Sequence, residues 1–334
     1  MKSKFLSLGI ESTAHTFGAS IVSSDGKILA DVKDVYKPAA GSGIHPREAS
    51  RHHSNVAHVV IRDALEKGNI KSSEIEIISY SAGPGLGPCL RVGATVARTL
   101  ALHLKRPLVP VNHAIGHIEL GCLTTGSLDP VTLLVSGGHT MITAYNAGKW
   151  RAFGETLDIT AGQLLDQLGR HAGYSSPAGA VIEKLASGSS RYLKLPYSVK
   201  GNDVSLSGIL TASKRLLDQG EGIRDVCFSV QETAFAMLTE VTERAVAFLE
   251  KTEILLTGGV AANTRLTEML KSMSEERRVT FRVIPRNYAG DCGAQIAWVG
   301  ALAFRSGVQV PVGSSWVKQS WRFDGVEVPW RIVN

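Results

Sequence analysis

Two histidines four residues apart, His113 and His117, are the first side chains here whose type and spacing could do chemistry. On a helix, positions i and i+4 lie one turn apart on one face, so both imidazoles could reach a single ion. The pair follows Pro107–Val111, an apolar run that reads as a buried strand, and ligand sites in α/β folds gather where such strands end. Histidine pairs at this spacing also occur on helix surfaces and in cores, and the spacing alone leaves that open. All ten histidines precede residue 172, so a third ligand from the second half has to be a carboxylate. Asp291, at the start of the last predicted helix and after another apolar strand, is the natural candidate. Two histidines and an aspartate suit zinc or ferrous iron and leave positions for a substrate. A zinc protease would need H-E-x-x-H with its glutamate base, but Ala114 follows the first histidine and excludes it.

A second set of candidates is made of glycines at strand ends: Ser136-Gly137-Gly138, the run G-G-V-A-A-N from Gly258 to Asn263, and G-P-G-L-G-P at 83–88. Glycine lets backbone approach a phosphate closely, and helix N-termini favour anions. Three such turns at comparable places point to a nucleotide, although each could simply be a tight turn. Neither a P-loop nor a dinucleotide G-x-G-x-x-G is present. Asp158 and Asp166, eight apart, would share a face of a helix starting near Asp158, and Glu183 lies farther on. Carboxylates of this kind accept hydrogen bonds from a ribose diol, or else mark a solvated helix face.

The elements that must position these groups repeat. Three strands (Phe5–Gly9, Gly18–Ser23, Lys27–Tyr36) lead through a Gly/Pro-rich loop at 38–46 to a helix over Arg47–Lys67. A strand at Glu76–Ala82, a helix at Arg91–Leu104 and the strand before His113 follow. The order recurs from Val131, with strands to Glu155, helices at 159–172, 209–219 and 226–250, and strand–helix pairs from Glu253 and Val279. This predicts a duplicated α/β fold with a cleft between lobes 1–128 and 129–334, and an insertion or loop at 173–205. The length of 334 residues suits two domains, and 44% apolar residues suffice for real cores. The net charge of +6 is dilute, its basic residues are scattered, and no RNA-binding module appears. No apolar run is long enough to span a membrane, no signal peptide is evident, and the four cysteines have no C-x-x-C spacing. A cytoplasmic protein with free thiols is expected.

Taken in order, the motifs resemble the tRNA threonylcarbamoyladenosine synthase family. They are G-I-E-S-T (9–13), G-I-H-P-R-E-A-S-R-H-H (43–53), G-P-G-L-G-P-C-L-R-V-G (83–93), V-N-H-A-I-G-H (111–117), L-V-S-G-G-H-T (134–140), G-E-T-L-D (154–158), D-V-S-L-S-G (203–208) and L-L-T-G-G-V-A-A-N (255–263). The family includes bacterial TsaD and the catalytic subunit of the KEOPS complex, once described as O-sialoglycoprotein endopeptidases. The tail at 319–331 is similar to the archaeal and eukaryotic branch. The resemblance implies a duplicated ribonuclease H-like, actin-like ATPase (ASKHA) fold. It implies one divalent metal, Fe2+ or Zn2+, on His113, His117 and Asp291. An adenine nucleotide or acyl-adenylate would contact Leu134, Val135, Ser136, Gly137, Gly138, Asp166, Gly179, Glu183 and Asn263.

The implied activity moves the threonylcarbamoyl group from threonylcarbamoyl-AMP to the exocyclic amine of adenosine 37 in tRNAs reading codons that begin with adenine. The implied partners are tRNA, a small protein kinase/ATPase and small accessory subunits, one of them dimerising. Three departures stand out: Leu134 where the archaeal branch has a tyrosine metal contact, His139 for asparagine, and Cys292 for asparagine after Asp291. No general base is evident, and His139 is a candidate for proton handling. An ATPase or small-molecule kinase of the same fold is the alternative, though such a kinase has no use for the histidine pair. A non-catalytic scaffold for a protein kinase is another.

Overall fold

The computed structural model describes residues 4–39 and 41–331. Met1–Ser3, where a signal peptide would begin, Ala40 of the predicted loop and the last three residues lie outside the described residues. The chain opens with β1 (Leu6–Glu11), β2 (Thr16–Ser23) and β3 (Ile28–Val35). The Asp25-Gly26 turn joins the last two: Gly26 takes φ 91°, which glycine adopts without strain, and the Ser23 N–H meets the Lys27 carbonyl at 2.9 Å. After α1 (Pro46–Gly68) come β4 (Ile77–Gly83), α2 (Gly87–Leu104), β5 (Leu108–Asn112) and α3 (His113–Thr125). Helix α2 starts four residues before its predicted start, because Pro88 fits a first turn, where no N–H partner is needed.

The second half starts with β6 (Val131–Val135), β7 (Thr140–Asn146) and β8 (Lys149–Glu155). It continues with α4 (Ala161–His171), α5 (Gly179–Ala186), a short ribbon of β9 (Val199–Lys200) and β10 (Asp203–Val204), α6 (Ser207–Asp218) and α7 (Ile223–Leu249). Then come β11 (Glu253–Thr257), α8 (Thr264–Arg277), β12 (Thr280–Val283), α9 (Arg286–Ala289) and α10 (Gly293–Arg305). The segment predicted as an insertion or loop at 173–205 holds a helix and the ribbon.

The two sheets run β3-β2-β1-β4-β5 and β8-β7-β6-β11-β12. In both, the first three strands are antiparallel and the last two join in parallel. This is the predicted duplicated, actin-like arrangement. Faint as the repeat is in letters, it is complete in topology.

The halves interlock. Helix α3 leaves the first sheet and packs on β6, β11 and β12, while α10 returns from the second half onto β1, β2 and β4. Ile115, Ile118, Leu134, Leu255, Ile296 and Val299 bury together between the sheets. Close approach there depends on missing side chains: a Cβ on Gly9 would lie 2.2 Å from the Ala297 nitrogen. The chain between the predicted lobes is therefore crossed in both directions. The cleft lies where β1, β5, β6 and β11 end.

Candidate functional site

A cavity of about 930 Å³ opens between the halves. One end of it is built by two buried histidines and a partly buried aspartate. His113 is the first residue of α3, immediately beyond β5, and Asn112 caps the helix by accepting from the Ala114 and Ile115 amides at 3.0 and 3.3 Å. One turn along, His117 points the same way, and the rings stand 4.7 Å apart at 87°. Asp291, between α9 and α10, places Oδ1 3.5 Å from His113 Nε2 and 3.2 Å from His117 Nε2. Both imidazoles and the carboxylate therefore converge on one point, all within 4.8 Å of one another.

Behind His113 stands a fully buried carboxylate, Glu11, at the end of β1. Its Oε2 lies 2.9 Å from His113 Nδ1, and its Oε1 accepts the Thr13 amide at 2.6 Å. Gln295 on α10 approaches the same Oε2 at 3.4 Å. With Nδ1–H given to Glu11, the lone pair of His113 Nε2 faces Asp291, and that arrangement demands a proton or a cation between them. Burial pushes His113 down, but the charges of Glu11 and Asp291 outweigh it and carry the imidazole up to about 9. His117 is pushed down, mainly by burial, despite its hydrogen bond to Asp291. Burial opposes ionisation of Asp291, yet the two imidazoles hold its carboxyl well below the usual range. Two imidazole nitrogens and a carboxylate, oriented from behind by a second carboxylate, fit zinc or ferrous iron. His139 stacks on His113 with centroids 6.0 Å apart, and burial with the neighbouring imidazoles pushes it down to about 3. Its Nδ1 is buried without a partner among the described residues.

The other end is mostly backbone. Gly137, Gly138 and Gly259 face open space. The Ser136 turn is largely self-satisfied: its N–H meets the His139 carbonyl at 2.7 Å, and its Oγ accepts the Gly138 and His139 amides at 3.2 and 3.0 Å. Of the three amides at 136–138, only that of Gly137 is free among the described residues. Asp166 on α4 accepts the Ala178 amide at 2.6 Å, and burial pushes its carboxyl up. Glu183 on α5, whose first residue Gly179 also lines the cavity, accepts the Thr264 amide at 2.8 Å. Asn263 caps α8 through Oδ1 and donates to Gln231 at 2.6 Å, so its side chain is already employed.

A family model described as tRNA N6-adenosine threonylcarbamoyltransferase matches residues 27–298. A protein of that name from Thermofilum pendens is 52% identical over 97% of this chain and 96% of its own. Another from Caldivirga maquilingensis is 49% identical, with 97% of each covered. The chain belongs to the tRNA N6-adenosine threonylcarbamoyltransferase family. It is a transferase that acts in threonylcarbamoyladenosine synthesis. A relative from Methanothermobacter thermautotrophicus named as a probable bifunctional tRNA threonylcarbamoyladenosine biosynthesis protein is 51% identical, and this chain spans 61% of its length. In fold, the chain is similar to HypF of T. kodakarensis (TM-score 0.64, 13% identity, 91% of this chain and 48% of that one). It is also similar to the (R)-2-hydroxyglutaryl-CoA dehydratase component A of Acidaminococcus fermentans (TM-score 0.53, 12% identity, 89% and 97%).

In this chain, His113, Ser136, Gly137, Gly138, Asp166, Gly179, Glu183, Asn263 and Asp291 line one cavity, and His117 sits behind Asp291. Leu134 and Val135 do not line it: both are fully buried on β6, where alternating strand geometry turns Leu134 into the core between the sheets. Asp158 is also elsewhere. Helix α4 begins at Ala161, set by the Thr160–Gln163 capping box, so Asp158 never joins Asp166 on a helix face. It accepts instead from Ser205 Oγ at 2.6 Å and the Leu206 amide at 2.8 Å at the start of α6. Glu11, Thr13 and Gln295 were not singled out from the sequence. A lone acid closing an apolar strand was the available signal for Glu11.

Among the described residues, no helix is long and apolar enough to cross a membrane.

Proposed function

We propose that this chain transfers the threonylcarbamoyl group from threonylcarbamoyl-AMP to the exocyclic amine of adenosine 37 in tRNAs reading codons that begin with adenine, releasing AMP. The observation that carries the reading is the convergence of His113, His117 and Asp291 on the cavity that also holds the glycine turns. A kinase of this fold has no use for that corner. A divalent ion on these three residues, Fe2+ or Zn2+, would polarise the acyl carbonyl and fix its orientation.

The chain's own groups do the rest. Glu11 orients His113 from behind, and with Nδ1–H given to the carboxylate its Nε2 is left for the ion. Asp166 and Glu183 each have an oxygen to offer a ribose hydroxyl, and the open Gly137 and Gly259 leave room for the phosphate. The leaving group is a phosphate, so positioning and charge stabilisation supply most of the acceleration. The chain would work in the cytoplasm as the catalytic subunit of a KEOPS-type assembly, with a small protein kinase/ATPase and small accessory subunits, one dimerising. A charge of +6 spread over 334 residues favours a tRNA footprint shared with those partners, so the chain alone should bind tRNA weakly and with strong salt dependence.

Reconstitution with tRNA, threonine, bicarbonate, ATP, the adenylate-forming enzyme and the partner subunits tests this. The modified nucleoside is expected, with about one bound metal per chain. No modified nucleoside with every partner present overturns the transfer reading.

A further inference from the structure

After α10 the chain runs back over the molecule and takes hold of α3 at two places. On the way it is bonded to the first half. The Val310 amide meets the Leu108 carbonyl at 2.9 Å, the Lys318 amide meets the Ala82 carbonyl at 2.7 Å, and the Gly85 amide meets the Gln319 carbonyl at 3.1 Å. Two residues on, the Trp321 carbonyl accepts from Asn112 Nδ2 at 3.0 Å. Asn112 caps α3, so one carboxamide joins the returning chain to the Ala114 and Ile115 amides of that helix. Its two poles cannot be exchanged, since the oxygen faces N–H groups and the nitrogen faces a carbonyl.

The second hold is on Glu119, which is buried and lies two residues past His117, about 200° round the helix. Arg331 clasps it with two prongs, Nε to Oε1 at 2.7 Å and Nη2 to Oε2 at 3.0 Å. Trp150 Nε1 on β8 and Trp330 Nε1 also donate to Oε1, at 2.9 and 3.2 Å. Arg331 is itself fixed: Nη1 donates to the Leu128 carbonyl at 2.8 Å, and the guanidinium stands 4.5 Å from the centre of the Trp150 ring. Its carbonyl holds the Tyr145 hydroxyl at 2.7 Å. Between the two holds, Phe323 and Val328 bury in the same core as Ile115 and Ile118. Buried ion pairs often add little stability over well-packed apolar side chains. What directional bonds add is a set rotation and height of the helix, which apolar contacts, being non-directional, define less sharply. His113 and His117 lie between the two holds.

We propose that the segment after α10 positions the histidine pair, with Asn112 and Arg331 as the positioning residues, an inference that rests on the metal-dependent reading above. Ligand distances at a metal site hold to within ~0.2 Å, and a helix that turns or slides by more than that cannot present two imidazoles to one ion. Glu11 orients one ring from behind, whereas the Trp321 and Arg331 holds orient the helix that carries both. Neither Asn112 nor Arg331 lines the cavity, so their loss reaches the ion through α3.

The test titrates the purified full chain with Zn2+ against a chelator, and with Co2+ for its visible absorption, in wild type, Asn112→Ser and Arg331→Lys. Serine keeps an oxygen cap but is too short to reach the Trp321 carbonyl, and lysine keeps the charge without the two-pronged geometry. Both variants are expected to fold and to keep wild-type nucleotide affinity, since the glycine turns are untouched. Zn2+ affinity should fall ~10–100-fold, and the Co2+ bands should shift or broaden. A variant that melts earlier yet binds Zn2+ as tightly as wild type, with an unchanged Co2+ spectrum, has lost structural support alone and overturns the proposal. So does a joint loss of Zn2+ and nucleotide affinity. Should Arg331→Lys fail to fold, Asn112→Ser decides by itself. Wild type separates the two readings: if it binds no Zn2+, the metal reading fails and takes this one with it, whereas wild-type binding matched by the variants sinks this one only.

Discussion

The two ends of the cavity are built on opposite plans. At the His113–His117–Asp291 end, five side chains from four elements (β1, α3, the loop before α10, and α10 itself) bond to one another, with His117 Nδ1 left without a partner among the described residues. Each charge there is set by the next. At the Gly137–Gly259 end the polar side chains are spent on capping and turn closure, and what faces the cavity is open backbone beside two carboxylates. The first plan makes a position. The second makes room. A rigid, preorganised charge cluster is worth most where charge develops during a reaction, whereas a ground-state ligand can be held by shape and a few adaptable hydrogen bonds.

If that contrast is right, damage at the first end should destroy turnover and damage at the second should weaken binding. The largest effect is expected for Asp291→Ala, which removes the one atom both imidazoles share. Bound metal should be lost, and turnover should fall by at least ~10²–10³ while nucleotide binding survives. Metal analysis beside nucleotide titration checks it, and retained metal at full stoichiometry would break the comparison. Next comes Glu11→Gln, which keeps the shape of the side chain but not its charge. Removing a carboxylate that orients a ligating histidine typically weakens metal affinity ~10–100-fold. Competition with a chelator reads that shift directly, and added metal should recover much of the activity.

Asp166→Asn belongs to the other end and should behave differently. The amide still offers one carbonyl oxygen to Ala178, so α4 and α5 stay joined, but its other atom becomes a donor and serves a ribose hydroxyl less well. A hydrogen bond to a charged group is worth ~1.5–3 kcal/mol, which sets the ceiling on the loss of nucleotide affinity. Metal content should not change. A fall in metal binding here would mean that the two ends are coupled and that the contrast drawn above is false.

These differences also explain what could be read without coordinates. Strand order and duplication were legible because apolar runs and turn glycines mark each strand, and Asp25-Gly26 fixes a hairpin by itself. The histidine pair was legible because helical spacing is a local rule. Glu11 and Gln295 were not, since their roles arise only when α10 returns from the far end of the chain to lie on β1. Leu134 was misplaced for a related reason: adjacency to Ser136 in a strand says nothing about which face a side chain takes. The helix at 179–186 was hidden in a stretch rich in Ser, Gly and Pro, whose weak local propensity is overridden by packing of α5 on α7 and by the Glu183 link to α8.

Asp158 gives the smallest and most discriminating expectation. Sequence spacing set it beside Asp166 as either a ribose ligand or part of a solvated helix face, while the structure makes it the acceptor for Ser205 and for the first amides of α6. Its neighbours' hydrogen bonds outweigh burial and hold its carboxyl below the usual range, so its contribution is present above the unfolded-state pKa of about 4 and is lost as pH falls below that. Asp158→Ala should therefore lower thermal stability at neutral pH by the ~1 kcal/mol typical of a lost helix cap, with nucleotide affinity and metal content unchanged. The stability gap between variant and wild type should narrow in acid, because protonating the wild-type carboxyl removes the same contact. A nucleotide defect at neutral pH, without that loss of stability, would put Asp158 back in the cavity.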